Sequence, residues 1–359
     1  MSGSQFNVSL ALILFLIHSI ICQYEDPPPT FSGGVLFSVN EQNELKGLSD
    51  AKIISHPQQS VPENFNAKDE WPECESIQTI RDEGDCGFSW ALALTQVVTD
   101  RLCIATNGTI TFQYSAEDLL TCCPDCHGSE LGNICEAGGN LVRALKFLQE
   151  EGVVSGGDMV SKKGCRPTSA ATLVRSLWAR APIICKTACS DEYNDTYQND
   201  KRHIYEITYD YSLNDTKKIQ TEIMTNGPVM AVIRPTETFR ENAAEAIDGF
   251  PIDGNYPEYD RGNSYRSGYY HGVRICGWGK KDGKTFWIAS NSWGSGWGDG
   301  GYFKYGICQS HDDCAPVIGD QHMSVIAMAG FSAGFCFHEI RITLHVLMGV
   351  TLIYLFVIL

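Results

Sequence analysis

Basic residues are scarce in this chain: 27 Lys and Arg stand against 43 Asp and Glu in 359 residues, a formal charge of −16. A surface of that sign excludes the usual modes of nucleic-acid binding and of adhesion to anionic membranes, both of which need cationic patches. Charged residues of either sign make up only 19% of the chain, while hydrophobic residues make up 43%. That balance belongs to a packed globular core and not to a disordered chain. No internal repeat appears, and the opening residues 1–7 lack both Lys and Arg.

What is present at the two ends concerns the address of the protein. Leu10 to Cys22 is an apolar run too short to span a bilayer comfortably, so residues 1–22 read as a signal peptide cleaved near Cys22–Gln23. Fifteen cysteines then fit disulfides made in an oxidising compartment, as do sequons at Asn107, Asn194 and Asn214. At the other end, Ile342 to Leu359 is apolar and uncharged, and follows the small triplet Ser332-Ala333-Gly334 and a short spacer ending at Arg341. Residues 331–359 therefore read as a lipid-anchor (GPI) attachment signal, with a plain transmembrane anchor as the rival and a buried core helix as a third reading. Either anchor puts a membrane at the C-terminal tail and the body outside the cytosol; a lysosomal or freely secreted protein is the alternative.

Between the ends, residues 23–60 are rich in Pro, Ser, Gly and Gln without periodicity and read as a linker or short pro-segment. The main body, 61–330, changes texture halfway. Trp90, Leu94, Val97, Val98 and Arg101 recur at helical spacing, and Leu141, Leu145 and Leu148 do so again before Gly152. Beyond about 200, Ile204 to Tyr211 alternates and Val229 to Ile233 is β-branched. Val273 to Trp278 can pair with Thr285 to Ala289 across a Lys-Asp-Gly turn, and Gly301 to Tyr305 adds another strand. A helical half followed by a strand-rich half predicts an α+β fold of two lobes meeting at a cleft.

Three segments carry chemistry. Glu83-Gly84-Asp85-Cys86-Gly87-Phe88-Ser89-Trp90 opens the first long helix, His271 precedes a strand ending in Gly-Trp-Gly, and Asn291-Ser292-Trp293-Gly294 follows. In this order they resemble the papain family, whose nucleophile lies in a C-G-[SA]-C-[WY] pattern. Trp71-Pro72-Glu73-Cys74, Ser115 to Cys123 and Asn226-Gly227-Pro228-Val229 resemble cathepsin B in particular. The resemblance covers residues 61 to 330. It implies a papain-like two-lobed fold, helical first and β-barrel-like second, with His271 as base and Asn291 orienting it. Gly138, Gly139, Trp293 and Tyr270 line the cleft by the same resemblance.

Two positions depart from that pattern. Ser89 stands where the family has its nucleophilic cysteine. A thiol at a helix start beside a histidine ionises in advance, whereas a hydroxyl must lose its proton during attack. Glu83 stands where the family places the glutamine that donates to the oxyanion, and a carboxylate has no donor to offer unless protonated. Phe88 and the Tyr269-Tyr270 pair are expected to crowd the cleft, and no inhibitory helical pro-segment is recognisable.

Cys122, Cys123, Cys126, His127 and Cys135 could be a zinc site on spacing alone, but the secretory context favours disulfides. The resemblance implies the pairs Cys74–Cys103, Cys86–Cys135, Cys122–Cys185, Cys123–Cys126 and Cys165–Cys189, leaving Cys276, Cys308, Cys314 and Cys336 unassigned. It calls for no metal and no cofactor. Residues 168–184 contain neither Cys nor His, so the occluding loop that gives cathepsin B its dipeptide-removing activity is absent. A Tyr-rich stretch from Asp248 to Tyr270 is longer than the family's and reads as a contact surface or a cover over the cleft. The resemblance thus implies a non-catalytic relative that binds a peptide or protein in its cleft. The rivals are a slow peptidase using Ser89, His271 and Asn291, and an extracellular structural or matrix-interaction protein.

Overall fold

The computed structural model describes residues 35–36, 51–53, 60–84, 86–127, 135, 138–169, 184–204, 206–210, 216–233, 270–307 and 326–330. These all belong to the unit Ser32–Leu359. The signal and anchor segments, Asn214, Cys308, Cys314, Cys336, Tyr269, most of 168–184 and all of the Tyr-rich stretch except Tyr270 lie outside the described residues.

Helices dominate the first half: α1 (Ala67–Glu70), α2 (Glu75–Gln78), α3 (Ser89–Ala105), α4 (Ala116–Cys122) and α5 (Leu141–Glu150), followed by α6 (Tyr197–Asp200) and α7 (Thr216–Asn226). Polar side chains cap α1, α4, α5 and α6, whereas α2 and α3 have no side-chain cap. Ser115 Oγ accepts the Asp118 N–H and Asn140 Oδ1 accepts the Arg143 N–H, both at 3.0 Å, satisfying first-turn amides that have no partner within the helix. Helix α5 closes where the Gly152 N–H turns back onto the Phe147 carbonyl.

Helix α3 is the exception to its sequence pattern. The apolar spacing predicts a single buried face, yet every residue from Ser89 to Arg101 is buried. One side packs on Leu119, Leu120, Leu141, Leu145 and Leu148 of α4 and α5, and the other meets Met230 and Val232 from the sheet. A helix enclosed on all sides must satisfy its polar side chains internally, and Thr95 and Thr99 hydroxyls donate to the carbonyls four residues back at 2.7 Å each.

The strand-rich half forms a five-stranded sheet from β3 (Phe65–Asn66), β6 (Val229–Ile233), β7 (His271–Lys281), β8 (Lys284–Ser290) and β9 (Tyr302–Gly306). Strands β7 and β8 are antiparallel, with Trp278 opposite Trp287. Their turn holds Asp282 and Gly283 at φ 53° and 80°, the left-handed pair that matches the twist of a two-residue hairpin. Strand β6 flanks β7 with Ile233 opposite His271, so the histidine opens the strand beside a paired neighbour. Helix α7 covers this sheet through Ile219 and Ile223, closing a second core over Val273, Trp278 and Phe303.

Short strands lie elsewhere. β1 (Val35–Leu36) runs parallel to β4 (Gly139–Asn140), and β5 (Glu206–Asp210) pairs with β2 (Ala51–Ile53) and β10 (Ile326–Gly330). The segment read as a linker thus contributes two strands. At two and three residues they are too short to display a period of two.

Five disulfides join Cys74–Cys103, Cys86–Cys135, Cys122–Cys185, Cys123–Cys126 and Cys165–Cys189. Cys276 is a buried free thiol. No helix among the described residues is long and apolar enough to cross a membrane.

Where α3 meets β7, Arg274 and Asp100 are both fully buried and pair at 2.7 Å. Removing one member of such a pair strands the other charge. Asp100→Ala should therefore lower the unfolding free energy by about 3–5 kcal/mol in a denaturant titration. Glu63→Ala, which breaks the exposed 3.0 Å pair with Lys280, should cost under about 1 kcal/mol.

Candidate functional site

Ser89 is the first residue of α3, His271 the first of β7, and Asn291 directly follows β8. The fold brings the three together across the seam between helices and sheet. Ser89 and His271 are 0% exposed and Asn291 2%. Asn291 Oδ1 lies 2.7 Å from His271 Nε2 and also accepts the Ser292 N–H at 2.8 Å. An oxygen that only accepts requires Nε2 to carry the proton, which leaves Nδ1 as a bare acceptor in the neutral ring. Nδ1 has no hydrogen-bond partner among the described residues. Ser89 Oγ is held elsewhere, accepting the Gly272 N–H at 3.1 Å.

Glu83 enters from the loop before α3. Its N–H donates to the Ser292 carbonyl at 2.8 Å, and its Oε1 accepts the Trp293 indole N–H at 2.6 Å. Oε1 lies 3.8 Å from His271 Nδ1, while Oε2 has no hydrogen-bond partner among the described residues. Burial pushes the Glu83 carboxyl up to about 8, with contacts to Trp293, Ser89 and Ser292 pulling it partly back. Burial pushes His271 down to about 4, against the opposing bond to Asn291. Between those values both groups are neutral, so the pair at 3.8 Å is not an ion pair at physiological pH.

The surrounding residues fall into two groups. Trp293 is half-buried, with its ring 4.9 Å from the His271 ring and edge-on to Trp297 at 5.0 Å. Tyr270 is half-buried against the helical-lobe core. Gly138 and Gly139 are buried, and Gly139 is already a strand partner of Val35. A Cβ on Gly139 would sit 2.1 Å from the Trp90 ring, so the close approach of that indole alone demands glycine there. Phe88, expected to crowd the cleft, is instead fully buried in the helical-lobe core. The cysteines weighed as zinc ligands, Cys122, Cys123, Cys126 and Cys135, all lie in the disulfides above, and His127 Nε2 meets the Leu120 carbonyl at 2.7 Å. Asn107 and Asn194 are exposed. Motif reading missed Gly272 as the partner of Ser89, and it missed the direct Trp293–Glu83 bond. The nearness of those residues in sequence to His271 and Asn291 was the only available signal.

A strand histidine and its asparagine set beside a buried helix start, across an α+β frame, form the arrangement of the papain-like proteases. The family model described as papain family cysteine protease matches residues 61–318. The chain is 32% identical over 288 residues to cathepsin B-like cysteine proteinase 4 of Caenorhabditis elegans, covering 74% of this chain and 76% of that one. It is 36% identical over 290 residues to the gut-specific cysteine proteinase of the same organism, covering 77% of each. Among solved structures, procathepsin B S9 from Trypanosoma congolense shares the fold with a TM-score of 0.52 at 21% identity, covering 83% of this chain and 82% of that one. The chain belongs to the papain family and is cathepsin B-like. With its five disulfides, that kinship makes it a protein of the secretory or lysosomal route.

The two displaced titrations act on stability in opposite directions. Glu83 keeps in the fold a proton that the unfolded chain releases near 4.5, so its contribution is favourable below 4.5 and is lost as pH climbs to about 8. His271 stays neutral in the fold while the unfolded ring protonates near 6.5, so stability is lost as pH falls from 6.5 to about 4. Glu83→Gln should therefore stabilise the protein by roughly 3–5 kcal/mol above pH 8 and by almost nothing at pH 4.5, read from denaturant midpoints at each pH.

Proposed function

We propose that this cathepsin B-like protein does not turn over peptides and instead holds a peptide or protein partner in its cleft, outside the cytosol. The supporting observation is the state of Ser89, which takes the nucleophile's place in the family pattern. Its Oγ is engaged by the Gly272 N–H at 3.1 Å, and His271 Nδ1 has no hydrogen-bond partner among the described residues. An alcohol nucleophile needs a base aimed at its proton, with a pKa near the working pH. A histidine held down to about 4 is a poor acceptor for it.

Glu83, in the place of the family's oxyanion glutamine, argues less strongly than its charge implies. Raised to about 8, it is a neutral acid at physiological pH and keeps one O–H donor. That donor, with the 2.7 Å His271–Asn291 contact, favours a second reading in which Ser89, His271 and Asn291 form a slow peptidase.

Peptide hydrolysis by the wild type, Ser89→Ala, Ser89→Cys and Ser89→Cys/Glu83→Gln separates the two. No turnover should exceed the Ser89→Ala background in the wild type, and activity should appear in the double variant. Wild-type turnover abolished by Ser89→Ala would establish the peptidase. For the chain ends, the same reading takes Leu10 to Cys22 as the secretion signal and 331–359 as a lipid-attachment signal. A phosphatidylinositol-specific phospholipase should then release the protein from cells, whereas retention on the membrane would favour a spanning segment.

A further inference from the structure

The reading of the cleft as a binding site leaves open what chemistry it selects, and the replacement of a donor by an acid in its floor bears directly on that. Glu83 is 4% exposed and its Oε2 has no hydrogen-bond partner among the described residues. Beside it, His271 Nδ1 presents an unpartnered lone pair. A peptide carbonyl or carboxylate brought here meets acceptors, except for the single proton of the neutral acid. Once Glu83 gives up that proton, a ligand rich in N–H donors meets two unfilled acceptors.

The approach to these atoms is aromatic and acidic. Trp293 is half-buried, stacks obliquely on His271 at 4.9 Å and binds Glu83 Oε1 through its indole N–H at 2.6 Å. Asp82 is exposed, and its carboxylate lies beside Gly294, next to Trp293. An indole face attracts a cation, and a buried carboxyl with an empty oxygen gains most from a ligand that brings positive charge and several N–H groups together. The compact ammonium suits a closed site better than the wide guanidinium fork.

We propose that Glu83, His271 and Trp293 form a capture site for a primary ammonium of the bound partner, supplied by a lysine side chain or by a free N-terminus. Binding ionises Glu83, so below about pH 8 each capture event releases a proton and affinity rises with pH. Glu83 is faced by Asp82 from its own loop, Ser89 from α3, His271 from β7, and Ser292 and Trp293 from the segment after β8. Asp82 is the only other acidic side chain among them. A lysine or alkyl ammonium stays protonated throughout this range, whereas a free N-terminus, ordinarily about 7.7–8.0, begins to lose its proton at the upper end.

Calorimetry on the full-length protein with n-hexylamine, and with N-hexylacetamide as its uncharged counterpart, tests the site. The amine should bind at least about tenfold more tightly, its affinity should rise about tenfold per pH unit from pH 6 to 8, and paired buffers at pH 6 should report close to one proton released. Glu83→Gln, which keeps the shape of the side chain, should abolish both the preference and the proton release. A lysine peptide with an acetylated N-terminus, compared with a lysine-free peptide with a free N-terminus, identifies which amine is taken. Equal binding of amine and acetamide, or an amine preference that survives Glu83→Gln, overturns the proposal. Peptides that bind equally well with every amine acetylated, lysine included, overturn the ammonium site and leave the binding cleft standing. Failure of every peptide to bind removes both.

Discussion

Arg274 lies fully buried on β7 and directs its guanidinium at Asp100 Oδ2 at 2.7 Å, at Ser290 Oγ at 2.9 Å and at the carbonyls of Ser76, Ile77 and Thr79 at 3.0, 3.0 and 3.2 Å. The planar fork thereby fixes the end of α2, the middle of α3 and strands β7 and β8 against one another. Ser89 heads that same α3, His271 heads that same β7, and Asn291 follows Ser290. The geometry of the site is inherited from this buried charge cluster. Arg101 repeats the device one residue after Asp100, pairing with Glu222 of α7 at 2.8 Å and with the Pro228 and Gly227 carbonyls. These two buried pairs, on successive residues of one enclosed helix, tie it to the sheet half through β7 and through α7.

Within that frame the electrostatics of the site differ from those of a thiolate–imidazolium pair, in which opposite charges form before substrate arrives. Here desolvation wins twice, raising an acid and lowering a base, and both end neutral. The unfilled atoms Glu83 Oε2, His271 Nδ1, Asn291 Nδ2 and Ser292 Oγ cluster in one place. Buried polar atoms without partners are costly in a fold. Other described atoms lack partners too, among them Arg81 Nε and Nη1 and Asp100 Oδ1, so what distinguishes these four is their place beside Ser89 and His271.

Much of the fold was legible in the sequence because it rests on short-range signals. The Leu141, Leu145, Leu148 spacing gives α5, and the Lys-Asp-Gly turn between apolar runs gives the β7–β8 hairpin, though not the register shift between Ile275 and Gly277. Motif order brought Ser89, His271 and Asn291 to one site. What was not legible depends on tertiary surroundings. The burial of α3 on every side follows from what packs against it, not from its own periodicity, which shows one stripe. Phe88 reads as a cleft residue from its place beside Ser89, but the chain turns it into the core. The Gly272 hold on Ser89 and the protonation of Glu83 arise from distances between segments far apart in the chain, which no local pattern encodes.

The parallel pairing of Val35–Leu36 with Gly139–Asn140 has a competitive consequence. A backbone edge can hydrogen-bond one guest strand at a time, and this edge already has an occupant covalently tied to the same chain. Tethered occupants act at effective concentrations on the order of millimolar. A free peptide relying on the Gly139 edge alone would have to exceed that concentration to enter. Durable occupancy therefore goes to a partner that also grips something beyond the edge, so that selectivity resides in side-chain anchoring and not in strand addition.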